Sequence, residues 1–234
     1  MAQALESQLS APDALNLSFE ERLGLMVDSE RIERENRQLR SRLKNARIGQ
    51  PAACIEDIEW APHRSLDRSY FTTLTLLQWL RLRRNLLFFG PTGTGKTYLA
   101  CALGQKACRD GFTVQYERAP RLFKQLGEAR IMGTHASLLA SIAKKDLLII
   151  DDFGLKPLNE EARLDLLEIM EDRYEKRSTI VTSQRPQEQW YDTIGDPTIA
   201  DAILDRLVHN AHTVELKGES IRKAKGKKDL DNQE

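Results

Sequence analysis

Apolar residues recur along this chain with two different periods, and the change of period divides it. From Ser18 onward, Phe19, Leu23, Met26, Ile32, Leu39, Leu43 and Ala46 stand at helical spacing in a stretch without proline, which predicts one long helix. Ser18-Phe19-Glu20-Glu21 supplies a capping box at its start, and Gly49 and Pro51 stop it. A linker through Trp60-Ala61-Pro62 follows. Beyond residue 84 short apolar runs alternate with helical segments, the pattern of a parallel sheet covered by helices. The runs place strands at Leu86 to Phe89, Phe112 to Tyr116, Leu147 to Asp151, Thr179 to Ser183 and Thr213 to Leu216. Helices are expected at Lys96 to Arg109, Pro120 to Arg130, His135 to Lys144, Glu160 to Lys176 with Asn159 as N-cap, and Thr198 to His209. The stretch after the last strand is polar and lysine-rich, as a frayed tail would be. The expected organisation is a helical module and linker over 1–60, an α/β domain with a five-stranded parallel sheet over 61–218, and a basic polar tail over 219–234.

Composition narrows the function classes. Hydrophobic residues make up 41% and charged residues 30% of the 234, a globular mixture that excludes wholesale disorder. The 35 Lys+Arg cancel the 35 Asp+Glu, so any nucleic-acid contact must come from a local patch rather than the overall field. Cys54, Cys101 and Cys108 are odd in number and show no CxxC spacing, against a disulfide framework or a zinc site. No apolar run approaches the ~18 residues of a membrane span, and the first ten residues lack a signal-peptide layout. A cytoplasmic protein is expected.

The candidate chemistry lies at strand ends. Gly90-Pro91-Thr92-Gly93-Thr94-Gly95-Lys96-Thr97 matches the phosphate-binding P-loop, directly after a predicted strand and opening a predicted helix that continues with Tyr98. Its glycines let backbone amides converge on phosphate oxygens, Lys96 reaches the β- and γ-phosphates, and Thr97 ligates Mg²⁺. Leu147-Leu148-Ile149-Ile150-Asp151-Asp152 is an apolar strand ending in two carboxylates, a Walker B layout in which Asp151 helps to hold Mg²⁺ and Asp152 orients the attacking water. Asp152-Phe153-Gly154 spells a kinase motif by coincidence, since no HRD-type loop precedes it. Ser183-Gln184 ends a neighbouring strand where polar side chains would sense the γ-phosphate; a plain strand-to-loop transition before Pro186 explains the same residues. Ile203, Leu204 and Leu207 form the core face of the last helix and leave Arg206 outward, as a solvated residue or as an arginine finger for a neighbouring subunit.

These motifs, with Leu17-Ser18-Phe19-Glu20-Glu21-Arg22-Leu23, Asp201-Ala202-Ile203-Leu204-Asp205-Arg206-Leu207-Val208-His209 and Leu216-Lys217-Gly218-Glu219-Ser220, resemble the IstB family over nearly the whole chain. That family comprises the helper ATPases of insertion-sequence transposition, within the AAA+ superfamily and close to the DnaC-type helicase loaders. The resemblance implies an ATP- and Mg²⁺-dependent homo-oligomer on double-stranded DNA that recruits and stimulates its cognate transposase. It assigns Walker A to Lys96 and Thr97, Walker B to Asp151 and Asp152, sensor I to Ser183-Gln184, a trans-acting finger to Arg206, and a sensor II role to Arg222. Two departures stand out. The second Walker B acid is Asp152 where many AAA+ proteins carry Glu, so its carboxylate is one methylene short and slow hydrolysis is expected. Only 18 residues follow Leu216, too few for the helical lid that often carries sensor II, which puts the role of Arg222 in doubt.

For DNA the candidates are the basic helix with Arg34, Arg37 and Arg40, and a second group of Arg121, Lys124, Arg130, Lys144 and Lys145. The basic helix reads equally as a solvated rod with Glu30-Arg34 and Glu33-Arg37 pairs. His135 is expected at the surface. A helicase loader would use the same ATPase core. A metabolite kinase would need an arginine-bearing lid, which the 117–146 stretch lacks. A nucleic-acid-binding protein with a dead nucleotide site conflicts with intact Lys96, Thr97 and Asp151.

Overall fold

The computed structural model describes residues 5, 6, 8, 10, 16–60, 65–218, 220 and 221. Ala61-Pro62 of the expected linker, Arg222 and nearly all of the expected tail lie outside the described residues. Helix α1 (Phe19–Ala46) carries the capping box: Ser18 Oγ accepts from the Glu21 amide at 3.2 Å and Glu21 Oε2 accepts from the Ser18 amide at 2.8 Å. It ends at Arg47, whose left-handed φ of 51° turns the chain. Two short helices, α2 (Arg68–Thr75) and α3 (Gln78–Arg81), then precede strand β1 (Leu86–Phe89). The remaining order is α4 (Lys96–Arg109), β2 (Val114–Arg118), α5 (Ala119–Ile131), α6 (His135–Ala143), β3 (Leu147–Phe153), α7 (Glu160–Arg173), β4 (Ser178–Ser183), α8 (Trp190–Ile194), α9 (Pro197–Val208) and β5 (His212–Glu215).

The five strands form one parallel sheet in the order β2-β3-β4-β1-β5. Strand side chains alternate between its faces. Leu86, Phe88, Val114, Tyr116, Leu147, Ile149 and Ile180 pack toward α4, α2 and the end of α1, whereas Leu87, Leu148, Ile150, Phe153 and Val181 pack toward α5, α7, α8 and α9. Trp190 is fully buried on the second face, edge-on to Phe153 with ring centroids 4.9 Å apart. Parallel strands buried on both faces read as continuous apolar runs, which is why β1 and β3 were legible.

Several boundaries differ from expectation. β2 starts at Val114 rather than Phe112, because the Phe112 amide still donates to Ala107 O at 3.0 Å in closing α4. β3 continues through Asp152 to Phe153, past the apolar run. The helix expected to reach Lys176 ends at Arg173, whose buried guanidinium donates to the carbonyls of Ile142, Lys145 and Ser178 and so ties α6 to β4. α2, α3 and α8 were not anticipated. Ala46, Ile48, Ala53 and Ile58 share the core of α4 and Leu39 and Leu43 pack against it, so packing continues from the end of α1 into the segment expected as a linker.

Candidate nucleotide-binding site

Strand β1 delivers the chain into the loop 90–95 and α4 leaves it. Gly95 is the N-cap of α4, with φ 94° and no side-chain cap. The first-turn amides are therefore available to an anion, favoured there by the helix dipole. Lys96 is buried and its Nζ donates to Gly90 O at 2.7 Å and Pro91 O at 2.8 Å. Thr94 Oγ1 donates to Pro91 O at 2.9 Å, which closes the loop on itself. Gly90 has φ +139°, and a Cβ there would stand 2.0 Å from Leu216 O, so this first glycine serves the close passage of the chain leaving β5. The same segment then lies along the loop: Ile221 N donates to Gly93 O at 3.0 Å.

Asp151 ends the apolar run of β3, 2% exposed. Its Oδ1 accepts from Thr97 Oγ1 at 2.9 Å and from Thr182 Oγ1 at 2.5 Å, and its Oδ2 accepts from Tyr116 OH at 2.6 Å. Burial and this contact hold the Tyr116 phenol far above its ordinary pKa, so it stays a donor. Asp152 sits at a register shift between β3 and β4 with φ +58°. The bulge turns its carboxylate away from Asp151 toward Arg118, which donates to Asp152 Oδ2 through Nη2 at 2.7 Å and Nε at 3.0 Å. That pairing raises the pKa of Arg118 further.

These groups open on a cavity of about 780 Å³ whose walls include Thr92, Gly93, Gly95, Lys96, Thr97, Tyr98, Asp151, Asp152 and Gln184. Gly49, Gln50, Asp57 and Glu59, from the segment after α1, and Tyr116, Arg118, Leu155 and Ile221 also line it. Tyr98 joins that segment to α4, accepting from Cys54 N at 3.3 Å and donating to Cys54 O at 3.2 Å. Gly90, Pro91 and Thr94 shape the loop but do not line the cavity. The hard oxygen donors of Thr97 and Asp151, side by side at the loop, suit Mg²⁺. Among the described residues no three His, Cys, Asp or Glu side chains are grouped so as to hold a metal ion.

Ser183 departs from its expected place. It is fully buried, donates to Phe153 O at 2.9 Å and accepts from Arg185 N at 3.1 Å, so it pins β3 to β4 and does not face the cavity. Its neighbour Thr182, on the opposite face of the strand, meets Asp151 and accepts from the Asp152 amide at 3.0 Å. Thr182, Tyr116 and Arg118 were missed. Strand parity was the available signal, since Tyr116 pairs with Ile149 and Arg118 with Asp151 across β2 and β3.

The other candidates lie outside the cavity. Arg206 is not fully outward: Nη1 donates to Ala202 O at 2.7 Å and Nη2 to Glu171 Oε1 at 3.0 Å. Arg34 pairs with Glu30 at 3.7 Å and Arg37 with Glu33 at 3.3 Å, and both, like Arg40, remain exposed. Arg121 and Lys144 are exposed, and Lys124 pairs with Glu128 at 3.6 Å. Arg130 is held by Asp165 at 2.5 Å and Glu161 at 3.0 Å. His135 is half-buried against Asp165 at 2.8 Å rather than at the open surface.

A parallel sheet with a P-loop after its first strand, and a carboxylate from the next-but-one strand beside the loop threonine, defines a P-loop ATPase. Solved structures share this fold: DnaI at TM-score 0.62 and 21% identity, covering 76% of this chain and 94% of that one, and AMPPCP-bound DnaA from Aquifex aeolicus at TM-score 0.60 and 23% identity, covering 76% and 56%. The chain belongs to the family of IstB-like ATP binding proteins, whose profile matches residues 1–229. An insertion-sequence ATP-binding protein of Sinorhizobium fredii is 49% identical over 228 residues, covering 97% of this chain and 93% of its own length. The ATP-binding protein of insertion sequence IS21 from Pseudomonas aeruginosa is 34% identical over 218 residues, covering 93% and 82%.

Proposed function

We propose that this protein is an ATP-dependent switch that assembles as a homo-oligomer on double-stranded DNA and recruits and stimulates the cognate transposase of its insertion sequence. The observation that carries this reading is the Thr97–Asp151 contact beside an uncapped P-loop helix, in a chain matched along its length by insertion-sequence ATP-binding proteins.

Lys96, Thr97 and the loop amides hold the triphosphate. Thr97 and Asp151 hold Mg²⁺, which when bound neutralises charge on the β- and γ-phosphates. Asp152 orients the attacking water once it leaves Arg118, and Gln184 reports on the γ-phosphate from the cavity wall. Arg206 acts in trans on a neighbouring subunit. The first half of α1, together with the exposed cations Arg40, Arg121 and Lys144, faces DNA or the transposase. No helix among the described residues is long and apolar enough to cross a membrane, and the proposed place of action is the cytoplasm.

Removing the loop cation tests the reading. Lys96→Ala is expected to weaken ATP binding in calorimetry and to abolish ATP-dependent assembly on DNA in sedimentation. Unchanged nucleotide affinity would overturn the site assignment. Full-strength assembly with no nucleotide present would overturn the switch.

A further inference from the structure

We propose that Tyr116 is a positioning residue of the metal site, coupling the exit of helix α1 to the carboxylate of Asp151. The inference rests on the Mg-ATP reading above and extends it to a residue outside the P-loop and Walker motifs.

Asp151 is surrounded by three hydroxyls. Thr97 and Thr182 both donate to Oδ1, and Thr97 is the one that turns to the cation when Mg-ATP binds. Tyr116 is the sole described hydroxyl donor to Oδ2, at 2.6 Å. With one carboxylate oxygen committed to the metal, a donor on the other fixes the plane in which the carboxylate presents itself. Deleting such outer partners typically costs 10–100-fold in metal affinity.

The tyrosine ring is itself held from the N-terminal side. A Cβ added to Gly49 would stand 2.5 Å from Tyr116 Cζ and 2.6 Å from its hydroxyl, so the ring lies directly against the Gly49 backbone. Glycine is needed here for space. Gly49 stands three residues after Ala46, the last residue of α1, and is flanked by the buried Ile48. Ala46 and Ile48 share a core with Tyr116. Gly49, Tyr116 and Asp151 all line the same cavity. A displacement of α1, such as contact with DNA or a partner would impose, therefore moves the ring and with it the hydrogen bond that orients Asp151.

The test uses the full-length protein. Mn²⁺, as the probe for the metal, is titrated by electron paramagnetic resonance in the presence of a non-hydrolysable ATP analogue, while analogue binding in EDTA is measured separately. Tyr116→Phe keeps the ring and removes the hydroxyl; Gly49→Ala keeps the hydroxyl and displaces the ring. Each is expected to weaken Mn²⁺ binding about tenfold or more, well beyond any change in metal-free analogue affinity. The double variant should lose no more than the worse single variant, because both act through one bond. Unchanged Mn²⁺ affinity in Tyr116→Phe overturns the positioning role, as does equal loss of metal-free binding. Additive losses in the double variant overturn the coupling to α1. Tyr116→Phe decides the positioning role on its own where Gly49→Ala fails to fold. Failure of the unaltered protein to take up Mn²⁺ with the analogue would instead bring down the Mg-ATP reading, and the proposal with it.

Discussion

Replacing Arg206 by alanine separates a subunit that completes its neighbour's site from one that works alone. In the isolated chain the guanidinium is occupied by Glu171 Oε1 at 3.0 Å and Ala202 O at 2.7 Å. Both partners of the ion pair keep access to solvent, with side chains 28% and 50% exposed, so screening limits the pair to about 0.2–1 kcal/mol. The carbonyl hydrogen bond adds about 1 kcal/mol. Swinging the side chain across a subunit interface thus costs roughly 1–2 kcal/mol, a factor of about 5–30 in population. An arginine finger contributes about 10³–10⁵ in turnover, which is about 4–7 kcal/mol at 1.36 kcal/mol per decade. The gain exceeds the release cost, so Arg206 is available for the task despite its local partners. Arg206→Ala should bind ATP normally while DNA-stimulated phosphate release falls about a thousandfold. Glu171→Gln, which frees the guanidinium, should raise turnover by no more than about fivefold. Mixing Arg206→Ala with Lys96→Ala should restore part of the activity, since an intact P-loop from the first meets an intact finger from the second. Retention of more than a tenth of the rate in Arg206→Ala, or no recovery at any ratio in mixtures shown to co-assemble, would refute the reasoning.

Gly90→Ala should destabilise the fold more than it perturbs phosphate contacts, because its Cβ would meet the Leu216 carbonyl oxygen at 2.0 Å. Strain of about 1–3 kcal/mol corresponds to a fall in Tm of roughly 2–12 °C for a chain of this size, read by calorimetry, and an unchanged Tm contradicts the account. Burial pushes the Cys101 thiol up to about 12 and the Cys108 thiol up to about 11. At pH 8 their thiolate fractions are about 10⁻⁴ and 10⁻³, so iodoacetamide should modify Cys54 alone in the folded protein. Intact-mass spectrometry showing more than one adduct before denaturation would count against the packing around α4.

The P-loop and the Walker B strand were legible because their chemistry is local. Gly95 precedes the helix it caps, and an apolar run ending in two acids, which alone would read as a strand entering a polar turn, reads as Walker B beside a P-loop. What escaped was set by pairing between distant segments. Thr182 rather than Ser183 meets Asp151 because of which face of β4 turns toward β3, a parity that one strand alone does not reveal. Asp152 turns to Arg118 because a bulge gives it a left-handed backbone, a conformation that aspartate tolerates better than most side chains and that a run of strand residues does not announce. α2 and α3 escaped because Leu77, with φ +56°, breaks what would otherwise be one helical run. Their apolar residues, Phe71, Leu74 and Trp79, are buried against the sheet rather than spaced along a longer amphipathic face.

Helix α1 is seated through Leu39, Leu43 and Ala46, while Phe19, Leu23, Leu25, Val27 and Ile32 remain exposed along its first half. The stretch from Phe19 to Gln38, which contributes nothing to the domain core, therefore forms a rod of about 30 Å at 1.5 Å per residue. A rod fixed at one end amplifies rotation. Tilting it by about 10° at Leu39 sweeps the Phe19 end through about 5 Å, more than the 3.4 Å rise between successive base pairs of duplex DNA. Run in reverse, the arm beyond Leu39 is about 10 Å long at Ala46, a third of the free arm, so a displacement of about 5 Å at the tip becomes about 2 Å at the helix end leading to Gly49, enough to make or break a hydrogen bond.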